Sequence, residues 1–153
     1  MSDDTIPLIT IDEKTNCSKL VAELILDHFG IAKKDQDLHL LAGMGKGMGL
    51  GSICGGLAGG MFAINLLLNR SGASDLEIED AHRTFRHAFL EKFSAVNCSE
   101  IIDLHFEQKP HEYEERQARF CGNLLDESSS EVVEIVNMVV SQINPISTSM
   151  NQH

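Results

Sequence analysis

The chain has 153 residues, of which 42% are hydrophobic and 23% are charged, and its formal net charge at pH 7 is −11. This length and composition favour one globular domain with a hydrophobic core of its own. The negative charge argues against nucleic acid and against an anionic membrane surface as partners, because both attract basic proteins. The acidic N-terminus lacks the basic and apolar regions of a signal peptide, so we expect a cytoplasmic protein.

Helical periodicity dominates the first half of the chain. Asn16 is suited to cap a helix over about 16–29, which Gly30 would end. A short helix is predicted over about 35–44. A glycine-rich run with nine glycines between positions 43 and 60 then leads into an apolar helix that ends near residue 68.

The apolar helix raises the question of a membrane span. Its strongly apolar part, 53–68, includes Asn65 and is shorter than the roughly 20 residues that cross a bilayer. Gly51, Gly55 and Gly59 recur at helical spacing and allow a neighbouring helix to pack closely. We therefore expect a buried central helix without membrane contact. The same glycine face also allows a homodimer.

The second half of the chain is predicted to form four helices, three of which begin with the spacing of a capping box. They cover residues 74–93, residues 97–105, a segment carrying Cys121 after a break at Pro110, and residues 128–143. No two convincing strands are present to pair. We therefore predict an all-α, compact bundle of six or seven helices around the Gly-rich central helix. It forms a single domain over 15–144, with flexible segments at 1–14 and 145–153.

The four cysteines are the residues best suited to chemistry. In the reducing cytosol they are more often free, redox-active or metal-bound than part of a disulfide framework. Cys17 and Cys98 each stand in an Asn-Cys-Ser sequence, where the asparagine would place the cysteine at a helix start. Cys54 lies at or near the start of the apolar helix, with Ser52 as its expected cap. The positive end of a helix dipole predicts a lowered thiol pKa at these three positions. The alternative is that each cysteine fills a small apolar slot.

A metal site is the second interpretation of the cysteines. They are far apart in sequence and show no Cys-x-x-Cys, so the fold would have to gather distant ligands for an iron–sulfur cluster or another metal. Histidines are available to join such a site. They are His28, His82, His87, His105 and His111.

The glycine run does not match a phosphate-binding loop. Gly47, rather than serine or threonine, follows Lys46, and no strand precedes the run. Lys46 is the one charge in the run, and it is a candidate cation for stabilising a nearby thiolate. The alternative is a solvated loop charge.

Taken together, these features resemble the C_GCAxxG_C_C family of redox proteins. The four cysteines match that family's four cysteine positions, and the segment Cys-Gly-Gly-Leu-Ala-Gly at 54–59 is similar to its Cys-Gly-Ala-x-x-Gly motif. The chain departs from the motif at Gly56, where the family usually has alanine. The resemblance covers about residues 15–125 and implies a small redox-active protein, but it supplies no substrate.

Three functions remain open at this point. In the first, Cys17, Cys54, Cys98 and Cys121 carry out thiol/disulfide electron transfer with a redox partner protein or a small oxidant or reductant, as in a thiol–disulfide oxidoreductase. In the second, the same four cysteines ligate a metal or an iron–sulfur cluster in an electron carrier or sensor. In the third, the protein is a helical interaction module with structural cysteines. In the first two functions, the backbones of Gly51, Gly55 and Gly59 would allow close approach of a cofactor.

Overall fold

A computed structural model of the protein describes residue 11, residues 14–105 and residues 115–143. The described chain forms five α-helices. They are α1 (Cys17–His28), α2 (Gly55–Arg70), α3 (Asp75–Phe93), α4 (Cys98–His105) and α5 (Glu115–Ile143). Within these ranges the only β-type pairing is one isolated bridge. The predicted all-α fold is therefore confirmed.

Helix α2 lies inside the bundle and packs against α1, α3 and α5, which also packs against α1 and α3. The glycines of α2 face all three neighbours. A Cβ atom added at Gly59 would overlap the backbone carbonyl of Ser18 in α1, one at Gly60 would lie 2.5 Å from the Phe85 ring in α3, and one at Gly56 would lie 2.9 Å from the Leu124 side chain in α5. The small residues thus let these helices approach α2 closely.

The helix starts follow local sequence rules. The Asn16 side chain accepts a hydrogen bond from the Lys19 backbone N–H at 3.1 Å, and this caps α1 as predicted. Ser74 and Glu77 form the predicted capping box at the start of α3. At the start of α4, the Asn97 side-chain amide donates to the Glu100 carboxylate at 2.7 Å.

Three predicted details are wrong. The segment 35–44 is not one helix but two short 3₁₀ turns, Lys33–Asp35 and Leu38–Leu41, separated by Asp37 in a left-handed conformation with φ 52°. Ser52 does not cap α2, because that helix begins at Gly55 with Cys54 in the capping position. Residues 128–143 are not a separate helix but the continuation of α5.

The remaining expectations concern the two ends of the chain and a possible membrane span. Ile11, within the predicted flexible N-terminal segment, is only 4% exposed and belongs to the core. Residues 145–153, Pro110 and His111 lie outside the described residues. Among the helices that are described, none combines the length and the apolar character needed to cross a bilayer.

Candidate functional site

Two of the cysteines lie at the starts of α1 and α2. Cys17 is the first residue of α1, and Cys54 is the capping residue of α2. Gly55 makes the close approach of the two helix starts possible: a Cβ atom there would lie 2.5 Å from the Cβ of Cys17 and 2.9 Å from the Ser18 nitrogen. The glycine after Cys54 therefore gives the clearance that brings Cys17 against the start of α2.

An antiparallel bridge between Ile53 and Asn97 brings in the third cysteine. The Cys54 N–H donates to the Val96 carbonyl at 2.8 Å, and the Cys98 N–H donates to the Ser52 carbonyl at 2.6 Å. In an antiparallel pair of segments, the residues just before and just after the bridged pair all project from one face, opposite to the face of the bridged pair. Cys54 and Cys98 are therefore directed to one side, at the starts of α2 and α4.

The glycine-rich loop closes over this region. Gly47 has φ +64°, and a Cβ atom there would lie 2.5 Å from the Ser52 nitrogen and 2.9 Å from the Cys98 Cβ. Lys46 just before it is also left-handed, with φ 53°. A side chain at position 47 would be both strained and obstructed, so glycine is needed for the loop to lie against Cys98.

All four cysteines line a single cavity of about 140 Å³. Cys17, Cys54 and Cys98 approach it from three helix starts, and Cys121 approaches it from α5. The rest of its wall is mostly apolar, with Lys46 and Gln117 as the polar side chains. The apolar lining residues are Ile101, Ile102, Leu124 and Leu125. The structure thus brings together the complete set of predicted cysteines, all of them as free thiols.

Burial determines the protonation of these thiols. It raises the pKa of Cys54 and of Cys121 to about 12, and it also raises the pKa of Cys17 and Cys98 above the usual value. The predicted lowering of the pKa at three helix starts is therefore wrong for the reduced protein. Desolvation of a thiolate in this apolar cavity outweighs the favourable end of each helix dipole.

Several groups oppose this effect of burial. The positive charge of Lys46 lowers the pKa of Cys17, Cys98 and Cys121, and its backbone N–H also stabilises the Cys17 thiolate. The Cys54 sulfur faces the backbone N–H groups of two α2 residues, Gly56 and Leu57. The cavity therefore contains both a cation and backbone donors that favour negative sulfur.

The predicted glycines divide between two roles. Gly55 lines the cavity, whereas Gly59 packs against α1 and Gly51 lies beside Ser99, whose hydroxyl donates to the Gly51 carbonyl at 3.0 Å. Gln117 was not predicted. Its position one helical turn before Cys121, on the same face of α5, was the available signal.

The described histidines lie elsewhere. His28 packs edge-on against Phe29, His82 contacts the Met61 carbonyl at 3.2 Å, and His87 pairs with Glu91 at the surface. His105 contacts the Phe93 carbonyl and the Phe120 ring. In the part of the chain that the structure describes, no group of three or more histidine, cysteine or acidic side chains is arranged to hold a metal ion.

Comparisons with known proteins place the chain in a family. Neither the curated proteins nor the solved structures include a match to the chain. A family model described as "Putative redox-active protein (C_GCAxxG_C_C)" matches residues 15–135. That range contains all four cysteines, the glycine motif and the whole cavity. The chain therefore belongs to the C_GCAxxG_C_C family of redox-active proteins.

Proposed function

We propose that the protein is a thiol–disulfide redox protein whose reactive centre is the four-cysteine cavity. One observation carries this proposal: four thiols from separate segments of the chain line the same cavity. The segments are joined there by specific contacts, which include the approach of Cys17 to Gly55 and the bridge that positions Cys98.

The reaction is an exchange of two electrons. A thiolate of the cavity attacks a partner disulfide and forms a mixed disulfide, and the displaced partner thiolate takes up a proton. A second cavity thiol loses its proton and attacks the first cysteine, which releases the other half of the partner as a thiol. In the sum, two protein thiols become one disulfide and one partner disulfide becomes two thiols.

The open volume argues against cysteines that merely fill the core. Protein interiors are closely packed, and a buried cysteine with a structural role is normally surrounded by neighbouring atoms. Here the thiols instead surround about 140 Å³ of space. The space supports a centre in which sulfurs move toward each other or toward a partner sulfur.

The test is a thiol count on the full chain, purified without oxygen and fully reduced. We expect treatment with oxidised glutathione to remove two or four of the four free thiols, and peptide mapping to find disulfides between cavity cysteines. Cys54→Ser, with its shape nearly preserved, is expected to reduce the number of protein disulfides formed. Four thiols that persist through oxidation would contradict the proposal.

The same preparation also tests the metal interpretation. Iron and acid-labile sulfide in the anaerobic protein, together with a visible charge-transfer spectrum lost in Cys54→Ser, would favour a cluster over thiol exchange. A colourless protein that forms disulfides inside the cavity would favour thiol exchange.

A further inference from the structure

We propose that Cys17 is the thiol that attacks the partner disulfide, and that Lys46 is the positioning residue that directs the attack to it. This inference rests on the proposed function, since it assigns the roles within that exchange. Three independent features support it: the accessibility of the sulfurs, the attachment of the Lys46 loop to α1, and the distribution of charge in the cavity.

The first difference between the four thiols is how accessible they are to a partner disulfide. Cys54 is 8% exposed, so a partner disulfide cannot reach it without opening the bundle. Cys17, Cys98 and Cys121 are each half-buried. The attacking thiol is therefore one of these three, and Cys54 is suited only to the later, internal step.

The loop before Lys46 is attached to the start of α1. The Asn16 side-chain amide donates to the Leu41 carbonyl at 3.0 Å, and the Ser18 hydroxyl donates to the Met44 carbonyl. Gly45 allows close packing here, because a Cβ atom at that position would lie 2.9 Å from the Asn16 Cα. The residues on both sides of Cys17 thus hold the loop that carries Lys46.

Lys46 acts on the Cys17 sulfur in two ways. Its backbone N–H is directed at the sulfur, and its positive charge favours the thiolate across the cavity that both residues line. Among the described residues that line the cavity, Lys46 is the only one of the Lys, Arg, Asp or Glu type. The same loop also lies against Cys98 at Gly47, but the Lys46 backbone N–H serves Cys17, and only the charge of Lys46 acts on Cys98 and Cys121.

The ionised sulfurs also repel one another. The first thiol to ionise raises the pKa of the thiols around it, since like charges repel in a poorly solvated space. The Cys17 thiolate is stabilised by both the positive charge and the backbone N–H of Lys46, so we expect Cys17 to ionise first.

The chemical step follows from this order. The Cys17 thiolate forms a bond to one sulfur of the partner disulfide, and the bond between the two partner sulfurs breaks. The departing partner thiolate is protonated by solvent. A neighbouring cavity thiol then loses its proton and attacks the Cys17 sulfur of the mixed disulfide. This step releases the second half of the partner as a thiol and leaves a disulfide between the two cavity cysteines.

The experiment is competitive alkylation of the reduced full-length protein with limiting iodoacetamide, followed by peptide mass mapping. This reagent is neutral, so Lys46 cannot attract it by charge. We expect Cys17 to be modified first. In Lys46→Gln we expect its rate at neutral pH to fall by about threefold, because losing the cation raises the pKa of Cys17 and the smaller thiolate fraction outweighs the greater nucleophilicity of the more basic sulfur.

Two further variants separate charge from structure. Lys46→Arg keeps the positive charge and should restore the rate, and Lys34→Gln removes an exposed lysine outside the cavity and should leave it unchanged. The pH midpoint of Cys17 alkylation should move upward in Lys46→Gln only. The titrating groups that line the cavity are Cys17, Cys54, Cys98, Cys121 and Lys46.

The possible results distinguish a failure of the Cys17 assignment from a failure of the proposed exchange function. First modification at Cys98 or Cys121, or an unchanged pH midpoint in a folded Lys46→Gln protein, would overturn the assignment even if cavity disulfides form. If Cys17 reacts first with the predicted dependence on Lys46 but oxidation forms no cavity disulfide, the assignment of the reactive thiol survives and the exchange function fails.

Discussion

Cys54 shows at the scale of one residue how burial couples a thiol to folding. Burial raises the pKa of this thiol to about 12 in the folded protein, well above the usual value of a cysteine. As the pH rises above about 9, the unfolded chain loses this proton while the folded chain keeps it. We expect the free energy of unfolding to fall by about 1.4 kcal/mol per pH unit for this thiol, until the pH approaches its folded pKa.

The measurement is urea unfolding of the reduced protein at several pH values between about 8 and 10. Cys54→Ala removes the titrating group, so its stability should fall less steeply with pH than that of the wild type. Cys121, whose pKa is also raised to about 12, continues to contribute in both proteins. Parallel pH profiles for the two proteins would show that the Cys54 thiol is not the buried group described here.

Helix α2 gives a prediction at the scale of the element, because its glycines face different kinds of atoms. At Gly59 an added methyl would meet the backbone of Ser18, but at Gly56 it would meet the Leu124 Cδ2 at 2.9 Å, the end of a flexible side chain. We expect Gly59→Ala to destabilise the protein by about 1–3 kcal/mol, whereas Gly56→Ala should be nearly neutral or stabilising.

These two substitutions form a matched pair within one helix, and urea unfolding at fixed pH compares them. Both gain up to about 1 kcal/mol from the higher helix propensity of alanine, so a difference between them reports the space around each site. Alanine at position 56 also restores the residue that the resembled motif usually carries. Equal stabilisation by both would mean that α1 does not pack on Gly59 as described.

The elements also show where sequence patterns succeed and fail. The caps at Asn16 and Ser74 were predictable because each involves hydrogen bonds within four residues of the chain. The predicted start at Ser128 failed because a serine followed by Glu131 also fits a helix interior. Ser128 is buried there, and the next residue, Ser129, bonds its own helix at the Leu125 carbonyl at 2.8 Å.

The sequence predicted which residues form the site, but it did not predict the direction of their pKa shifts. The four cysteines could be chosen from residue type, local helix starts and family resemblance, and the structure places all of them at one cavity. The direction of their pKa shifts could not be predicted in this way. A helix dipole is a local property, but desolvation depends on α2, α4 and α5 packing around the sulfurs.

The burial of these thiols leads to a prediction for the whole molecule, namely its reduction potential. Thiol–disulfide proteins become strong oxidants when their reduced form is stabilised, as happens when a thiolate is favoured. Here burial disfavours the thiolate at all four cysteines. We therefore expect a reducing centre, with a potential below about −200 mV on a scale where such proteins span roughly −270 to −120 mV.

Equilibration of the full chain in dithiothreitol redox buffers, with the remaining thiols counted after acid quenching, measures this potential. The urea-unfolded chain in the same buffers is the reference, because it has the same cysteines without the cavity. At neutral pH Lys46→Gln should leave the potential of the folded protein nearly unchanged, since burial keeps the four thiols of the reduced form protonated and leaves little thiolate for the cation to stabilise. A potential near −120 mV would require a stabilised thiolate, which is incompatible with four sulfurs held in a mostly apolar cavity.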